Sequence, residues 1–582
     1  MRFSTVALLL FSCLQSSAPL DITEDVFGGN RYFVPAAFGD FNSDKLTDLI
    51  VIQEDGVSVE VLLASSGKPF LRSRGVICRF NHISVESIVP GDFDGDGHMD
   101  LLVVGRQAKD KKHRKRLYIQ WGDGKSLKCQ NDDKDTILIL EGQPLVLDYE
   151  GDMIHDIFGV DYNGNDPSGR KFWIFDTDRK IHDSIVMDNN ATLSIPHSHS
   201  YIDLNQDFTA DLLLTADDGY EYWIRTYSGF ELNKTIPKPN VRRGGAIGQS
   251  FFMDFDLDGR IDHLIPICDD VDCFNSSVFV YPGDKWINLD LDLKDIEGNK
   301  WSFVHPSSTE YKYLETLTLR VGDYNLDGYP DIIATLTFNG MYKVFLLENL
   351  ECKTCPLKRK LSLGWSYFYE LNSTIMGTFY DINENGVLDA ILVKQGPDRL
   401  EAAAIRNVIE YDAYFLKVLV TTSRCHSNCS TPKGLAYGTN LPGPMLCYKT
   451  YANEGKFRES CVPQLPQSSH FALQLPYALF GLGRMPNFVE TLQVGVSEGK
   501  YHEWTQIIPN SQVVIVPPVN GDKRWKAKLF VTPSRGIMMT AVALGGLIVF
   551  LSLLIFLLHK KERKEDRIEK QQEAHKFHFD AM

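Results

Sequence analysis

The sequence has no surplus of positive charge: 60 Lys and Arg stand against 76 Asp and Glu, for a formal charge of −16. That balance excludes a phosphate-binding or generally basic surface, and no nucleic-acid module is recognisable. GxSxG, HExxH and P-loop strings are missing too, so the common hydrolase, zinc-protease and nucleotide signatures are absent. Cysteine is scarce, 11 in 582 residues. Setting aside Cys13 in the leader leaves an even number, which favours disulfides in an oxidising compartment. Cys268/Cys273 and Cys352/Cys355 are close enough to close locally, whereas Cys425, Cys429, Cys447 and Cys461 form a late cluster whose pairing the spacing leaves open. CKTC at 352–355 lacks a βαβ context and a second CxxC, so a structural disulfide is expected over a redox or zinc site.

Both ends carry what the middle lacks, a long apolar run. MRFSTVALLLFSCLQSSAPL has one arginine, an apolar stretch and then small residues. It reads as a secretory signal peptide over 1–18, with Pro19 leaving the cleavage site open. GIMMTAVALGGLIVFLSLLIFLL at 536–558 contains no charge and is long enough to cross a bilayer, which needs roughly 20 residues. HKKERK follows it, which excludes a lipid-anchor signal. Lys523, Arg524, Lys526, Lys528 and Arg535 precede it, so orientation rests mainly on the leader: a type I single-pass protein of the cell membrane, N-terminal part extracellular. The tail, 559–582, has mixed charge and no apolar stripe; at most a few turns of added helix are expected, with the remainder unstructured. N-x-S/T acceptors at Asn190, Asn233, Asn275, Asn372 and Asn428 all fall on the outer side and are compatible with a glycoprotein.

One short pattern recurs seven times: DFNSDKLTD (40–48), DFDGDGHMD (92–100), DYEGDMIHD (148–156), DLNQDFTAD (203–211), DFDLDGRID (254–262), DYNLDGYPD (323–331) and DINENGVLD (381–389). Positions 1, 3, 5 and 9 are Asp40, Asn42, Asp44 and Asp48 in the first copy and Asp92, Asp94, Asp96 and Asp100 in the second. They are Asp148, Glu150, Asp152 and Asp156 in the third, and Asp203, Asn205, Asp207 and Asp211 in the fourth. The fifth has Asp254, Asp256, Asp258 and Asp262, the sixth Asp323, Asn325, Asp327 and Asp331, the seventh Asp381, Asn383, Asn385 and Asp389. Carboxylates this close repel one another, and a hard cation with oxygen ligands offsets the repulsion. Calcium suits such a loop, with a backbone carbonyl at position 7 completing the set; glycine at position 6 (Gly97, Gly259, Gly328, Gly386) allows the sharp turn. An EF-hand is excluded, because position 12 is Val103 in the second copy and Ile265 in the fifth, inside strands. The competing reading is a metal-free Asx turn. It has most weight in copies one, three and four, where Lys45, Met153 and Phe208 replace glycine, and Lys45 is itself a candidate counter-charge.

An apolar run follows nearly every copy, and further strand-like runs lie between copies, so each unit reads as a small antiparallel sheet. Units of more than 50 residues are long for a solenoid coil and too small to stand as separate domains. The expected fold is all-β: a seven-bladed β-propeller over 19–400, a membrane-proximal β-sandwich over 401–530 from the strand-like runs there, a transmembrane helix at 536–558 and a cytoplasmic tail.

The loops resemble the FG-GAP repeats of the integrin α-subunit propeller, with FGD at Phe38 the nearest survivor of the literal motif. That resemblance makes the calcium structural, a brace for the blades. YGTNLPGP at 437–444, LPYALFGLGRMPNFVE at 475–490, EWTQIIPNSQVVIVP at 503–517 and the terminal QEAHKFHFDAM are similar to the T-cell immunomodulatory protein (linkin) family along essentially the whole chain. The resemblance implies a cell-surface protein of adhesion and tissue integrity, intracellular partners that include RuvB-like ATPases and tubulin, and an immunomodulatory activity of a shed outer part.

Other candidates carry less. RQAKDKKHRKRLYIQ (106–120) reads as a solvated loop between strands. His197 and His199 share a strand face but show no third metal ligand. With its acids committed to loops, the chain reads as non-enzymatic, a binding module for extracellular or membrane proteins; alternatives are a glycan receptor using the propeller face opposite the loops, and a hydrolase whose groups converge only in three dimensions.

Overall fold

The computed structural model describes residues 20–532 and 535–579, apart from 164–165, 190, 309–311, 365–366, 369–370, 397–398, 410–412, 423, 425–429, 432–433, 436–437, 452–456, 485–487 and 519–523. The leader therefore lies outside the described residues. The chain forms two units, 1–531 and 532–582.

In the first repeat the order of elements is simple. Phe33–Gly39, the aspartate loop, Asp48–Gln53, Ser58–Ala64 and Leu71–Arg79 pair antiparallel in sequence order. The strand after each loop is apolar on both faces because each face meets a different neighbour. Leu212 and Leu214 enter one core with copy three, while Leu213 between them enters another with copy five. The same division runs through the whole repeat region. Separate apolar cores join copies two and three, three and four, four and five, five and six, and six and seven. A further core gathers Leu49 and Val51 of copy one, Val85 and Leu101 of copy two, and Ile391 and Val393 of copy seven.

Two pairings cross the boundaries between repeats. Copies two and three share one continuous hydrogen-bonded sheet from Ser84–Gly91 to Ile181–Val186. At the other extreme of the chain, Leu20–Asp21 pairs with Leu400–Arg406, which itself pairs with Asp389–Gln395. The first strand thus joins the sheet of the last repeat, and that sheet runs to Arg406, past the expected boundary at 400.

Residues beyond 406 build two four-stranded sheets. One orders Ala478–Gly483, Tyr414–Val420, Ser511–Val516 and Lys526–Val531; the other orders Phe457–Pro463, Met445–Tyr451, Val489–Val496 and Lys500–Ile507. Leu416 and Val418 of the first share a core with Leu446, Tyr448 and Leu492 of the second, as facing sheets of a sandwich do. Cys447 and Cys461 are bonded across one sheet, Cys268 to Cys273 and Cys352 to Cys355 close locally, and Cys78 is bonded to Cys129. Cys425 and Cys429 lie outside the described residues.

Between Phe457–Pro463 and Ala478–Gly483 the chain leaves the sandwich and threads among the first strands of the repeats. Tyr201 N–H donates to Pro466 O at 2.8 Å, Gln467 Nε2 to Ser250 O at 2.9 Å, and Val146 N–H to Ser468 Oγ at 3.0 Å. Arg320 Nη2 donates to Phe471 O at 2.7 Å and Thr378 Oγ1 to Leu473 O at 3.3 Å. Copies three to seven each hold this segment by a hydrogen bond, and Phe471 and Leu473 enter the core of copies one, two and seven. Its backbone is bent sharply, with positive φ at Leu465, His470, Phe471 and Leu473. Positive φ is uncommon in side-chain-bearing residues, and here the hydrogen bonds to the repeats and the burial of Phe471 and Leu473 hold it.

The second unit is one helix, Arg535–Phe579, about 68 Å long at 1.5 Å per residue. Its apolar part is long enough to span a bilayer. The tail is helical from 559 to 579, a correction to the expected few turns: alternating acids and bases, such as Lys561 and Glu565 at 3.7 Å, support helix at i,i+4 spacing.

Candidate metal centres

All seven loops share one hydrogen-bond plan. The position 1 carboxylate accepts the N–H groups of positions 5 and 6: Asp44 and Lys45 onto Asp40, Asp96 and Gly97 onto Asp92, and so on to Asn385 and Gly386 onto Asp381. To aim those N–H groups, positions 4 and 6 take positive φ in every copy. Lys45 (73°), Met153 (69°) and Phe208 (64°) do so without being glycine, at about 1–2 kcal/mol each. The missing glycines therefore do not change the loop.

The position 9 aspartate has a bracing role. Its Oδ2 accepts the position 2 N–H in all seven copies. In six, Oδ1 accepts an N–H from later in the repeat: Ala64, Gly122, Phe175, Arg225, Asn349 or Asn407, at 2.7–3.0 Å. It ties each loop to its own sheet.

Oxygens of Asp92, Asp94 and Asp96, and those of Asp254, Asp256 and Asp258, converge within 4.8 Å of one another. Burial pushes Asp254 up to about 8 and Asp262 to about 7. In the second loop Asp92 and Asp100 rise well above the usual range, through burial first and the charge of Asp94 second. Convergent hard oxygens that oppose one another's charge fit a divalent cation such as calcium, which would neutralise them and stiffen the turn. In the sixth loop Asp323, Asn325, Asp327 and Asp331 offer an equivalent side-chain set, with Asn325 Nδ2 donating to Asp327 Oδ2 at 3.3 Å. A third convergence, Asp290 with Cys352 and Cys355, has both sulfurs committed to the disulfide.

What the sequence did not disclose is where the loops sit. The sandwich packs on them. Met153 projects from loop three into the sandwich core, Phe208 of loop four stacks on Tyr501 with ring centres 5.4 Å apart, and Lys45 of loop one lies 4.5 Å above the Phe530 ring. At Gly259, Gly328 and Gly386 sandwich atoms come close instead. A Cβ on Gly259 would lie 2.7 Å from Glu459, and one on Gly386 2.4 Å from the Phe415 ring. Cys461 N–H donates to Asp254 Oδ2 at 3.3 Å, Ser497 Oγ to Asp148 Oδ2 at 3.0 Å, and Arg458 Nη1 to Asp327 O at 3.2 Å.

Among the described residues, acids of three loops also pair with a basic side chain from outside the loop, while Asp258 of loop five pairs with the loop's own Arg260 at 2.8 Å. Arg179 Nε meets Asp94 Oδ2 at 2.6 Å in loop two, Arg424 Nη2 meets Asp152 Oδ2 at 2.8 Å in loop three, and Lys417 pairs with Glu384 in loop seven. Lys45, the anticipated counter-charge, also reaches the sandwich aromatic. The sequence signalled such a cation only in the seventh loop, where amides replace two acids and Glu384 is added; DFDGDGHMD and DYEGDMIHD keep their acids and give no such sign.

The remaining candidates are resolved simply. The 106–120 run is a strand–turn–strand whose bases pair internally, Arg106 with Glu86 at 3.0 Å and Arg116 with Asp110 at 2.8 Å. His197 and His199 are buried and stacked, and His470 of the threading segment lies across them at 4.9 Å. Their nitrogens serve the backbone: His197 Nε2 bonds Gln143 O at 2.7 Å and His199 Nδ1 accepts Thr215 N–H at 3.0 Å. Asn233, Asn275 and Asn372 are exposed; Asn190 and Asn428 lie outside the described residues.

Comparison with known proteins agrees with this layout. Residues 40–103 match an FG-GAP-like repeat and residues 436–530 match the "ITFG1, C2 domain" family. The chain is 38% identical to the T-cell immunomodulatory protein of Homo sapiens, covering 99% of this chain and 97% of that one. It is 28% identical to protein linkin of Caenorhabditis elegans, over 94% and 95% respectively, and 28% identical to a T-cell immunomodulatory protein homolog of Plasmodium falciparum, over 93% and 87%. Long match, high coverage and the shared order of parts establish that the chain belongs to the T-cell immunomodulatory protein (linkin) family.

Proposed function

We propose that the repeats close as a seven-bladed propeller, the shared sheet of copies two and three counting as two blades, and that this ring is a non-enzymatic, extracellular protein-binding module of a single-pass adhesion glycoprotein. Calcium braces the second, fifth and sixth loops. The tail, a continuous helix beyond the apolar span, engages intracellular partners, for which family membership supplies RuvB-like ATPases and tubulin as candidates.

The observation that carries this reading is that the sandwich packs on the loops and the threading segment bonds to copies three to seven, so the chain itself occupies that side. Binding therefore falls to the opposite turns. On them Val271, Phe274 and Ile296 are each more than half exposed, and the turns touch, Lys300 Nζ donating to Phe274 O at 2.9 Å. Exposed apolar side chains on neighbouring turns mark a protein contact.

The test is cell-impermeant crosslinking of the full chain on intact cells, wild type against Phe274→Asp/Ile296→Asp. Loss of the captured partners at normal surface level is the expected result. Unchanged capture would overturn the assignment of this face, and capture abolished by glycosidase treatment of the cells would favour a glycan ligand.

A further inference from the structure

We infer that the seventh loop is not a calcium site: its cation is the ammonium of Lys417, and the loop is a latch that fastens the sandwich to the repeats. The calcium reading of loops two, five and six is the background to this inference, and the seventh loop departs from it.

Lys417 lies in the sandwich strand Tyr414–Val420 with its side chain 3% exposed. Its Nζ pairs with Glu384, stands 3.7 Å from Asp381 Oδ2, and lies 3.8 Å from the centre of the Tyr477 ring. An ammonium enclosed in this way has no exposed position to retreat to within its strand. A divalent ion on Asp381 would share that carboxylate with a fixed positive charge, and the two cations would repel.

The donor set points the same way. Positions 3 and 5 are the neutral Asn383 and Asn385, where loops two and five carry acids at both. Meanwhile the loop has gained an acid outside the ligand positions. Position 4 is Ser43, Gly95, Gly151, Gln206, Leu257 and Leu326 in the first six copies, and only in the seventh is it an acid, Glu384. That acid faces Lys417, and its other oxygen accepts Thr47 N–H of loop one at 3.0 Å. The charge has been moved from where a metal would use it to where a lysine does. The latch also sits at the seam, since loops one and seven belong to the repeats joined through Leu20–Asp21 and Leu400–Arg406.

The experiment uses the full chain in detergent with calcium alone as probe, reading calcium bound per chain by equilibrium dialysis and thermal unfolding in parallel. Asp254→Asn is expected to lower the count by one and Asp381→Asn to leave it unchanged. A loss of one calcium in Asp381→Asn would overturn the inference, while an unchanged count in Asp254→Asn would instead sink the calcium reading of loop five. The latch itself is read by a cycle of Lys417→Met, Glu384→Gln and the double variant in saturating calcium. Each single change is expected to lower the melting temperature by several degrees and the double by less than their sum; strict additivity would overturn it, whether or not any other loop binds calcium.

Discussion

Loops five and seven are built on one backbone and carry different charges. Both fold their position 1 aspartate over two backbone N–H groups, and both press a position 6 glycine against the sandwich. Loop five keeps Asp254, Asp256 and Asp258 converging; the sandwich meets it through the Cys461 N–H and a backbone bridge from Glu459 to Asp258, and its one paired cation is its own exposed Arg260, 2.8 Å from Asp258. Loop seven has amides at two of those positions and takes a whole ammonium from the sandwich. The contrast separates two tasks that a repeat pattern merges: shaping a turn, which all seven copies do, and binding an ion, which depends on charges that neighbours supply or withhold.

The largest expected effect comes from breaking the shared part of that plan. Asp254→Ala removes the acceptor for the N–H groups of Asp258, Gly259 and Cys461. Only the Cys461 N–H is buried, at about 1–3 kcal/mol if left unpaired; the two part-buried groups cost less each, so the loss is on the order of 3–6 kcal/mol. Denaturant unfolding of the full chain should show it together with loss of the calcium-dependent shift. A variant as stable as wild type would mean that the loop is held by something other than its first aspartate.

Next in size is a contrast with a region where burial favours neutrality. Burial pushes His197 down to about 4, with the Gln143 carbonyl opposing, and lowers His199 and His470 for the same reason, helped by the other rings. Charged groups facing them are Arg170, which is paired with Glu221 at 2.6 Å, and Lys115. Imidazoles of the unfolded chain titrate near 6.5, so between about 6.5 and 4 the unfolded state binds more protons. Stability is full above pH 6.5 and is lost as pH falls toward 4, by roughly 3 kcal/mol for His197 alone. Melting against pH should flatten in His197→Gln; an unchanged slope below pH 6.5 would exclude the cluster as its source.

Much of the fold was legible because its information is local. A nine-residue pattern with fixed side-chain roles survives point replacement, and the apolar run behind each copy follows from a strand buried on both faces. The local disulfides at 268/273 and 352/355 were visible for the same reason. What could not be read were meetings between residues far apart in sequence: Lys417 with Glu384, Arg179 with Asp94, and the threading of 464–477 through the repeats. Composition misleads here, since HFALQLP (470–476) has the pattern of a sandwich strand, whereas it forms no strand and belongs to the threading segment. Residues at position 6 were legible but misleading. Lys45, Met153 and Phe208 looked like decay of a glycine turn, whereas each makes a contact with the sandwich.

That last point can be sharpened by restoring glycine. Met153→Gly relieves about 1 kcal/mol of left-handed strain but removes a side chain only 2% exposed from the sandwich core, where truncating Met costs about 2–5 kcal/mol. A net loss of roughly 2–3 kcal/mol is expected in thermal or denaturant unfolding. Net stabilisation would mean that the side chain is strain alone.

The smallest effect is expected at loop one. Lys45→Gly relieves strain at φ 73° and loses the ammonium over Phe530, a contact worth about 0.5–1 kcal/mol where exposed. The added flexibility of glycine in the unfolded chain costs a similar amount, so the net change should stay within about 1 kcal/mol of zero. The two restorations thus separate a knob seated in a core from a cation resting on a ring. If Lys45→Gly proved as damaging as Met153→Gly, the lysine would be neutralising its loop as Lys417 does the seventh. Its stability loss would then fall with added salt, which a contact made by packing would not show.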